Sequence, residues 1–112
     1  MKIYHNNRCR KSREGLAVLE ELNQDFEIVN YLETPPTTKE LKEILNMLGM
    51  KPIELVRKNE AIWKEQFKDK ELSDDAILAA MSTYPKLIER PIIIKGAKAV
   101  IGRPVENIQK LL

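Results

Sequence analysis

Between Lys2 and Tyr31 the chain spells strand, helix, strand. Ile3 and Tyr4 form a short apolar run that His5 closes. Leu16, Leu19 and Leu22, with Ala17 and Val18 beside them, recur at helical spacing from about Ser12 to Leu22, with Ser12 as the expected N-cap. Phe26-Glu27-Ile28-Val29-Asn30-Tyr31 alternates apolar and polar side chains, the period of a half-buried strand. Two strands joined by one helix over so short a span pair in parallel with a right-handed crossover. A βαβ unit at the start commits the rest of the chain to completing a sheet and covering its faces.

The remaining segments do that in two stages. Leu32-Glu33-Thr34-Pro35-Pro36 is a stiff linker, because neither proline can join a ladder or a helix interior. Thr37 and Glu40 have the spacing of a capping box ahead of Leu41, Ile44, Leu45 and Leu48, and Gly49 stops that helix. Pro52 opens a short helix over Ile53 to Val56 that delivers Arg57 near its end. Glu60 to Phe67 reads as another helix, with Trp63 and Phe67 four apart on one face as a core pair. Ser73 caps a further helix that turns Ile77, Leu78 and Met81 inward, and Tyr84-Pro85 ends it.

Pro91 has no N–H for a ladder, so it stands at the start of the strand Ile92-Ile93-Ile94, whose unbroken apolar run predicts burial on both faces. Gly96 makes a turn, Ala99-Val100-Ile101 returns as a hairpin partner, Gly102-Arg103-Pro104 breaks the chain, and Val105 to Leu112 closes it as a helix. The predicted order is βαβ, helices, ββα. That is one α/β domain over residues 1–112 with a mixed sheet, interrupted at about 35–85 by a helical insertion.

Composition narrows the function. The chain has 112 residues, with 19 Lys and Arg against 17 Asp and Glu. A net charge of +2 is too balanced for a nucleic-acid binder held by bulk electrostatics. No apolar run has membrane-spanning length and the start turns polar within a few residues, so no membrane partner is expected. One cysteine and one histidine exclude an internal disulfide and a multi-cysteine zinc site, so neither a metal nor a bound cofactor is expected. A free thiol stays reduced in the cytoplasm, the expected compartment.

That cysteine, Cys9, sits in Arg8-Cys9-Arg10-Lys11-Ser12-Arg13, a stretch without an acid that opens the first helix. Cations and the free N–H groups of a helix start both favour the thiolate, the nucleophilic form of the side chain. A lone cysteine is often an inert buried apolar residue. Flanking arginines, which are rarely buried, argue instead for a reactive thiol. A cysteine that is oxidised or covalently modified needs a second thiol to restore it, and this chain has none. Ser12 stands where a Cys-x-x-Cys partner would be, so the resolving thiol must come from outside.

The pattern resembles the arsenate reductase family of the glutathione/glutaredoxin-dependent class. The resemblance rests on Tyr4-His5-Asn6 followed by Cys9, Lys11-Ser12-Arg13, Tyr31-Leu32 with Pro35-Pro36, Leu55-Val56-Arg57, Pro85-Lys86-Leu87-Ile88-Glu89-Arg90-Pro91-Ile92 and Gly102-Arg103-Pro104. It spans nearly the whole chain and implies a thioredoxin-like fold with a helical insertion, in which Pro91 is cis and faces the active cysteine. Cys9 would attack arsenate, a small oxyanion. Arg57, Arg90 and Arg103 would hold the oxyanion, a task that suits the planar, always-charged guanidinium. His5 and Ser12 would support the thiolate, His5 as a cation. Glutathione would be co-substrate and glutaredoxin the protein partner, with Arg8, Arg10 and Lys11 attracting the anionic tripeptide.

Two rival functions fit parts of the pattern. An Spx-type transcription regulator shares the fold and binds RNA polymerase, but such proteins usually carry the second cysteine that Ser12 replaces. A glutathione-dependent thiol reductase with another substrate needs Cys9 but not Arg57 and Arg103.

Overall fold

A computed structural model describes residues 1–22 and 25–112. The chain divides into two compact units, one of residues 1–34 and 90–112, the other of residues 35–89.

The first unit holds a four-stranded sheet of β1 (Lys2–Tyr4), β2 (Glu27–Val29), β3 (Ile92–Lys95) and β4 (Lys98–Ile101), in the order β2-β1-β3-β4. β1 pairs in parallel with β2, Ile3 opposite Ile28, as the βαβ reading requires. β1 and β3 run antiparallel with Ile3 opposite Ile93, and β3 and β4 form a hairpin through Gly96 at φ 60. The sheet is therefore mixed, as expected. β2 is shorter than the alternating pattern over Phe26 to Tyr31 implies. Ile28 is 46% exposed, on the sheet edge, so the pattern there reports only a half-covered face.

Helix α1 (Arg10–Glu21) packs Leu19 against Ile3 and Ile93, joined by Ile108 and Leu111 from a closing 3₁₀ segment, Val105–Leu111. The closing helix expected from the sequence is thus 3₁₀ rather than α. Ile92 and Ile93 are fully buried, while Ile94 is half-buried, so only part of that run is covered on both faces.

The second unit contains α2 (Thr38–Leu48), α3 (Ala61–Gln66), α4 (Asp74–Thr83) and two 3₁₀ turns, Pro52–Leu55 and Pro85–Leu87. Its local signals hold. Thr37 and Glu40 form the capping box, Gly49 ends α2 at φ 68, and Ser73 Oγ accepts from the Ala76 N–H. Trp63 and Phe67 stack with centroids 5.4 Å apart, and Trp63 is buried. The unit closes on a bridge between Val56 and Ile88, flanked by the Arg57 N–H donating to the Leu87 carbonyl at 2.7 Å. No helix among the described residues is long and apolar enough to cross a membrane.

One close approach fixes α1 on the sheet. A Cβ added at Gly15 would stand 2.9 Å from Pro91 Cγ, and one added at Gly102 would stand 3.0 Å from the same atom. Glycine in a helix interior costs about 1 kcal/mol relative to alanine. Its presence at position 15 therefore reflects the space that the proline ring fills. We expect Gly15→Ala to lower stability, because overpacking against a rigid ring costs about 1–3 kcal/mol and outweighs the helix gain. A lower urea midpoint with an unchanged m-value is the expected result. A higher midpoint would show that the ring gives way.

Candidate active site

The loop from β1 to α1 is built by Asn6. Its carbonyl accepts from the Cys9 N–H at 3.0 Å, and its side-chain Oδ1 accepts from the Arg8 N–H at 3.0 Å. An asparagine that binds backbone two and three residues ahead turns the chain sharply. Cys9 becomes the N-cap of α1 in extended conformation, at φ −97 and ψ 123. The first helical bond runs from the Arg13 N–H to the Cys9 carbonyl at 3.0 Å. The N–H groups of Arg10, Lys11 and Ser12 precede it and have no intrahelical acceptor. Ser12, Gly15 and Leu19 form the buried stripe of α1, and Cys9 lies one step before it, half-buried.

Ser12 is therefore not the N-cap. The helix begins two residues before it, and its hydroxyl turns inward instead. Ser12 Oγ accepts from the Asn6 N–H at 2.9 Å and lies 2.8 Å from His5 Nδ1. A fully buried serine and a buried histidine thus tie the end of β1 to the first turn of α1.

Burial holds the His5 pKa below its ordinary value of 6.5. The hydrogen bond with Ser12 opposes that shift and the nearby Arg13 charge reinforces it. At neutral pH the imidazole is therefore neutral. Burial thus disfavours the cation that the resemblance implies at His5, and its bond to Ser12 suits a positioning role. The linkage has a definite sign. Below 6.5 the unfolded chain takes up a proton that the folded chain resists, so stability falls as pH drops through that value. The loss stops growing once the folded imidazole also protonates. His5 is the sole histidine, so one imidazole signal in an NMR titration reports its pKa. We expect a value under 6.5, and His5→Asn should flatten the pH dependence of the urea midpoint there. A titration at or above 6.5 would contradict the neutral assignment.

The basic cluster is less uniform than it looks in sequence. Glu14 pairs with both Arg10, at 3.3 Å, and Lys11, at 3.7 Å. The i+3 and i+4 spacings that allow this are the local signal for both pairs. Arg13 reaches the Asn7 carbonyl at 3.5 Å, and Arg8 takes part in no ion pair among the described residues.

Arg90 and Arg103 lie beyond the ends of β3 and β4. Ile92 faces Ile101, and the next pair is closed by the Gly102 N–H donating to the Pro91 carbonyl at 2.8 Å. Arg90 and Arg103 come next on their two chains, so the hairpin register brings the two backbones together. Each precedes a cis proline: Arg90–Pro91, as the resemblance implies, and Arg103–Pro104, which nothing in the sequence signalled. Asn107 Nδ2 donates to the carbonyls of Ile101 at 3.0 Å and Arg103 at 3.3 Å, holding that second loop. Arg57 belongs to the other unit. It is half-buried, bonded to Glu60, with its Nε 3.9 Å from Glu89 Oε1. Among the described residues no group of three or more His, Cys, Asp or Glu side chains is placed to hold a metal ion.

Comparison with known proteins agrees with this architecture. The ArsC family profile matches residues 4–111. An arsenate reductase of Neisseria meningitidis serogroup A is 45% identical, the match covering 100% of this chain and 97% of the relative. One from Haemophilus influenzae is 39% identical over 98% of this chain and 97% of its own. The solved arsenate reductase from Vibrio cholerae is 44% identical and superposes with a TM-score of 0.93, covering 100% of this chain and 98% of that one. The α/β fold is thioredoxin-like, and by profile, sequence and structure the chain belongs to the ArsC family, as an arsenate reductase-like oxidoreductase.

Proposed function

We propose that the protein reduces arsenate with one thiol of its own, Cys9, and a second supplied from outside by glutathione, with glutaredoxin removing the glutathionyl group left on Cys9. The observation that carries this reading is the first turn of α1. Cys9 caps it, and the place of a second thiol is filled by buried Ser12, whose hydroxyl is already bound to Asn6 and His5. Such a site supports attack but not self-resolution.

The chemistry follows from that division. The Cys9 thiolate attacks arsenic, one arsenate oxygen leaves as water, and a sulfur–arsenic bond forms. Glutathione thiolate then attacks the Cys9 sulfur. The sulfur–arsenic bond breaks, its electron pair stays on arsenic, and arsenite departs. Cys9 is left as a mixed disulfide with glutathione. Two thiols have been oxidised to one disulfide and arsenic has gained two electrons. Glutaredoxin takes up the glutathionyl group and returns Cys9 to the thiol. Arg90 and Arg103 bind the oxyanion as charge develops on it, and the family resemblance assigns Arg57 to the same work. The free N–H groups at the start of α1 add donors to the oxyanion cradle. Ser12 and His5 hold the cap in place, and Pro91 seats α1 through Gly15. Residues 1–112 then work as one domain, with the segment at about 35–85 as its insertion. The reductants place the protein in the cytoplasm.

A glutathione-dependent thiol reductase is the second reading. It is favoured by one observation: Arg57 is already engaged by two carboxylates, Glu60 and Glu89. The test is arsenate-dependent NADPH oxidation in a coupled assay with glutathione, glutaredoxin and glutathione reductase. The expected result is turnover that stops when either glutathione or glutaredoxin is left out. Absence of turnover, with Cys9 still exchanging rapidly with glutathione disulfide, would move the assignment to the second reading.

A further inference from the structure

The parallel strands β1 and β2 end side by side at Tyr4 and Val29, and the His5 N–H adds one more bond to the Val29 carbonyl at 2.9 Å. Beyond it the two chains part. One turns through Asn6 into α1. The other coils into a turn in which the N–H groups of Glu33 and Thr34 both donate to the Asn30 carbonyl, at 3.1 and 3.0 Å. The crevice at the carboxyl ends of parallel strands is where open α/β sheets bind ligands. Here it is a cavity of about 330 Å³ lined by residues 5–8, Asn30, Leu32 and Glu33.

Its chemistry is selective. Asn6, Asn7 and Asn30 supply side-chain amides, Arg8 a cation and Glu33 an anion, and Leu32 is the one apolar side chain. Neither Arg8 nor Glu33 enters an ion pair among the described residues, so no salt bridge engages either charge. A bare oxyanion would meet Glu33, and an apolar ligand would strand the amides. A group with both an ammonium and a carboxylate satisfies all of them. Cys9 does not line the cavity, but it follows Arg8 directly, so the cavity adjoins the loop that carries the thiol.

We infer that this cavity is the docking subsite for the γ-glutamyl head of glutathione, with Arg8 taking its carboxylate, Glu33 its ammonium and the asparagine amides the rest. The assignment rests on the reading that external glutathione resolves Cys9, and it locates that step. Arg10 and Lys11, held by Glu14, contribute field only, whereas Arg8 makes the contact.

The test compares glutathione disulfide with the disulfide of cysteinylglycine, which lacks the γ-glutamyl head. In each reaction the Cys9 thiolate attacks one sulfur, the original disulfide bond breaks, a mixed disulfide forms and the released thiolate takes a proton. Each rate is divided by that of mercaptoethanol with the same disulfide, removing leaving-group differences. Wild type should prefer glutathione disulfide by about tenfold or more, and Arg8→Ala and Glu33→Gln should each lose most of that preference. Both residues are exposed, so the variants keep the fold, and any general change in Cys9 reactivity moves both rates together. A preference retained in both variants, or absent from wild type, overturns the subsite while leaving glutathione as the reductant. A Cys9 that forms no mixed disulfide with glutathione overturns the resolving step itself, and the subsite with it.

Discussion

Cys9→Ser is expected to abolish arsenate-dependent NADPH oxidation in the coupled assay, a loss of more than about a thousandfold. Two physical differences combine. A serine hydroxyl is not ionised at neutral pH, so attack is slow. An oxygen that did reach arsenic could form an ester but could not be oxidised to a disulfide, so no electrons would pass. The chain has no other cysteine to take over. Loss of fold cannot mimic the result. Cys9 holds the N-cap of α1 without its side chain accepting a capping hydrogen bond, and serine is among the residues that cap best. The variant should unfold at the same urea concentration as wild type or at a higher one. An active Cys9→Ser protein would remove the thiol from the mechanism altogether.

The placement of Cys9 also shows which parts of the molecule can be read from the chain and which cannot. Signals confined to a few neighbouring residues survive folding. The Thr37–Glu40 box, Gly49, Ser73, the Trp63–Phe67 pair and Pro91 ahead of its strand all stand as the sequence implies, because each is decided within about one helical turn or at one strand end. Ser12 fails for the same reason turned around. It has the right residue type for a cap, but a hydrogen bond from Asn6 and another with His5 draw its hydroxyl inward, and those partners are fixed by how β1 meets α1. Long-range pairing is the second blind spot. Glu60 lies three residues after Arg57 and was legible as a partner. Glu89 reaches Arg57 only through the bridge between Val56 and Ile88, which no local pattern announces. The neutral state of His5 is likewise a consequence of burial, and burial of one particular polar residue is a property of the whole packing.

The arginines separate an oxyanion reductase from a thiol exchanger. Arg90→Ala and Arg103→Ala should each lower kcat/KM for arsenate by about a hundredfold or more, the usual cost of removing one donor aimed at developing oxyanion charge. Lysine should restore only part of the loss, because it keeps the charge but lacks the fork that grips two oxygens. The rate of Cys9 with glutathione disulfide serves as the internal reference, since that reaction has no oxyanion. Losses confined to arsenate assign the arginines to the substrate. Equal losses in both reactions would instead assign them to the thiolate, and losses of only a few-fold would favour another substrate class. Arg57 requires a further control, because Arg57→Ala also strips Glu60 and Glu89 of their shared cation. Glu60→Gln loosens the same ion pair while leaving the guanidinium in place. If Arg57 binds the oxyanion, Arg57→Ala should fall with the other two arginines, whereas Glu60→Gln should hold its activity or gain, because a competing carboxylate has been removed. If Arg57 instead only braces the bridge between Val56 and Ile88, both variants should lower the urea midpoint and neither should affect arsenate selectively.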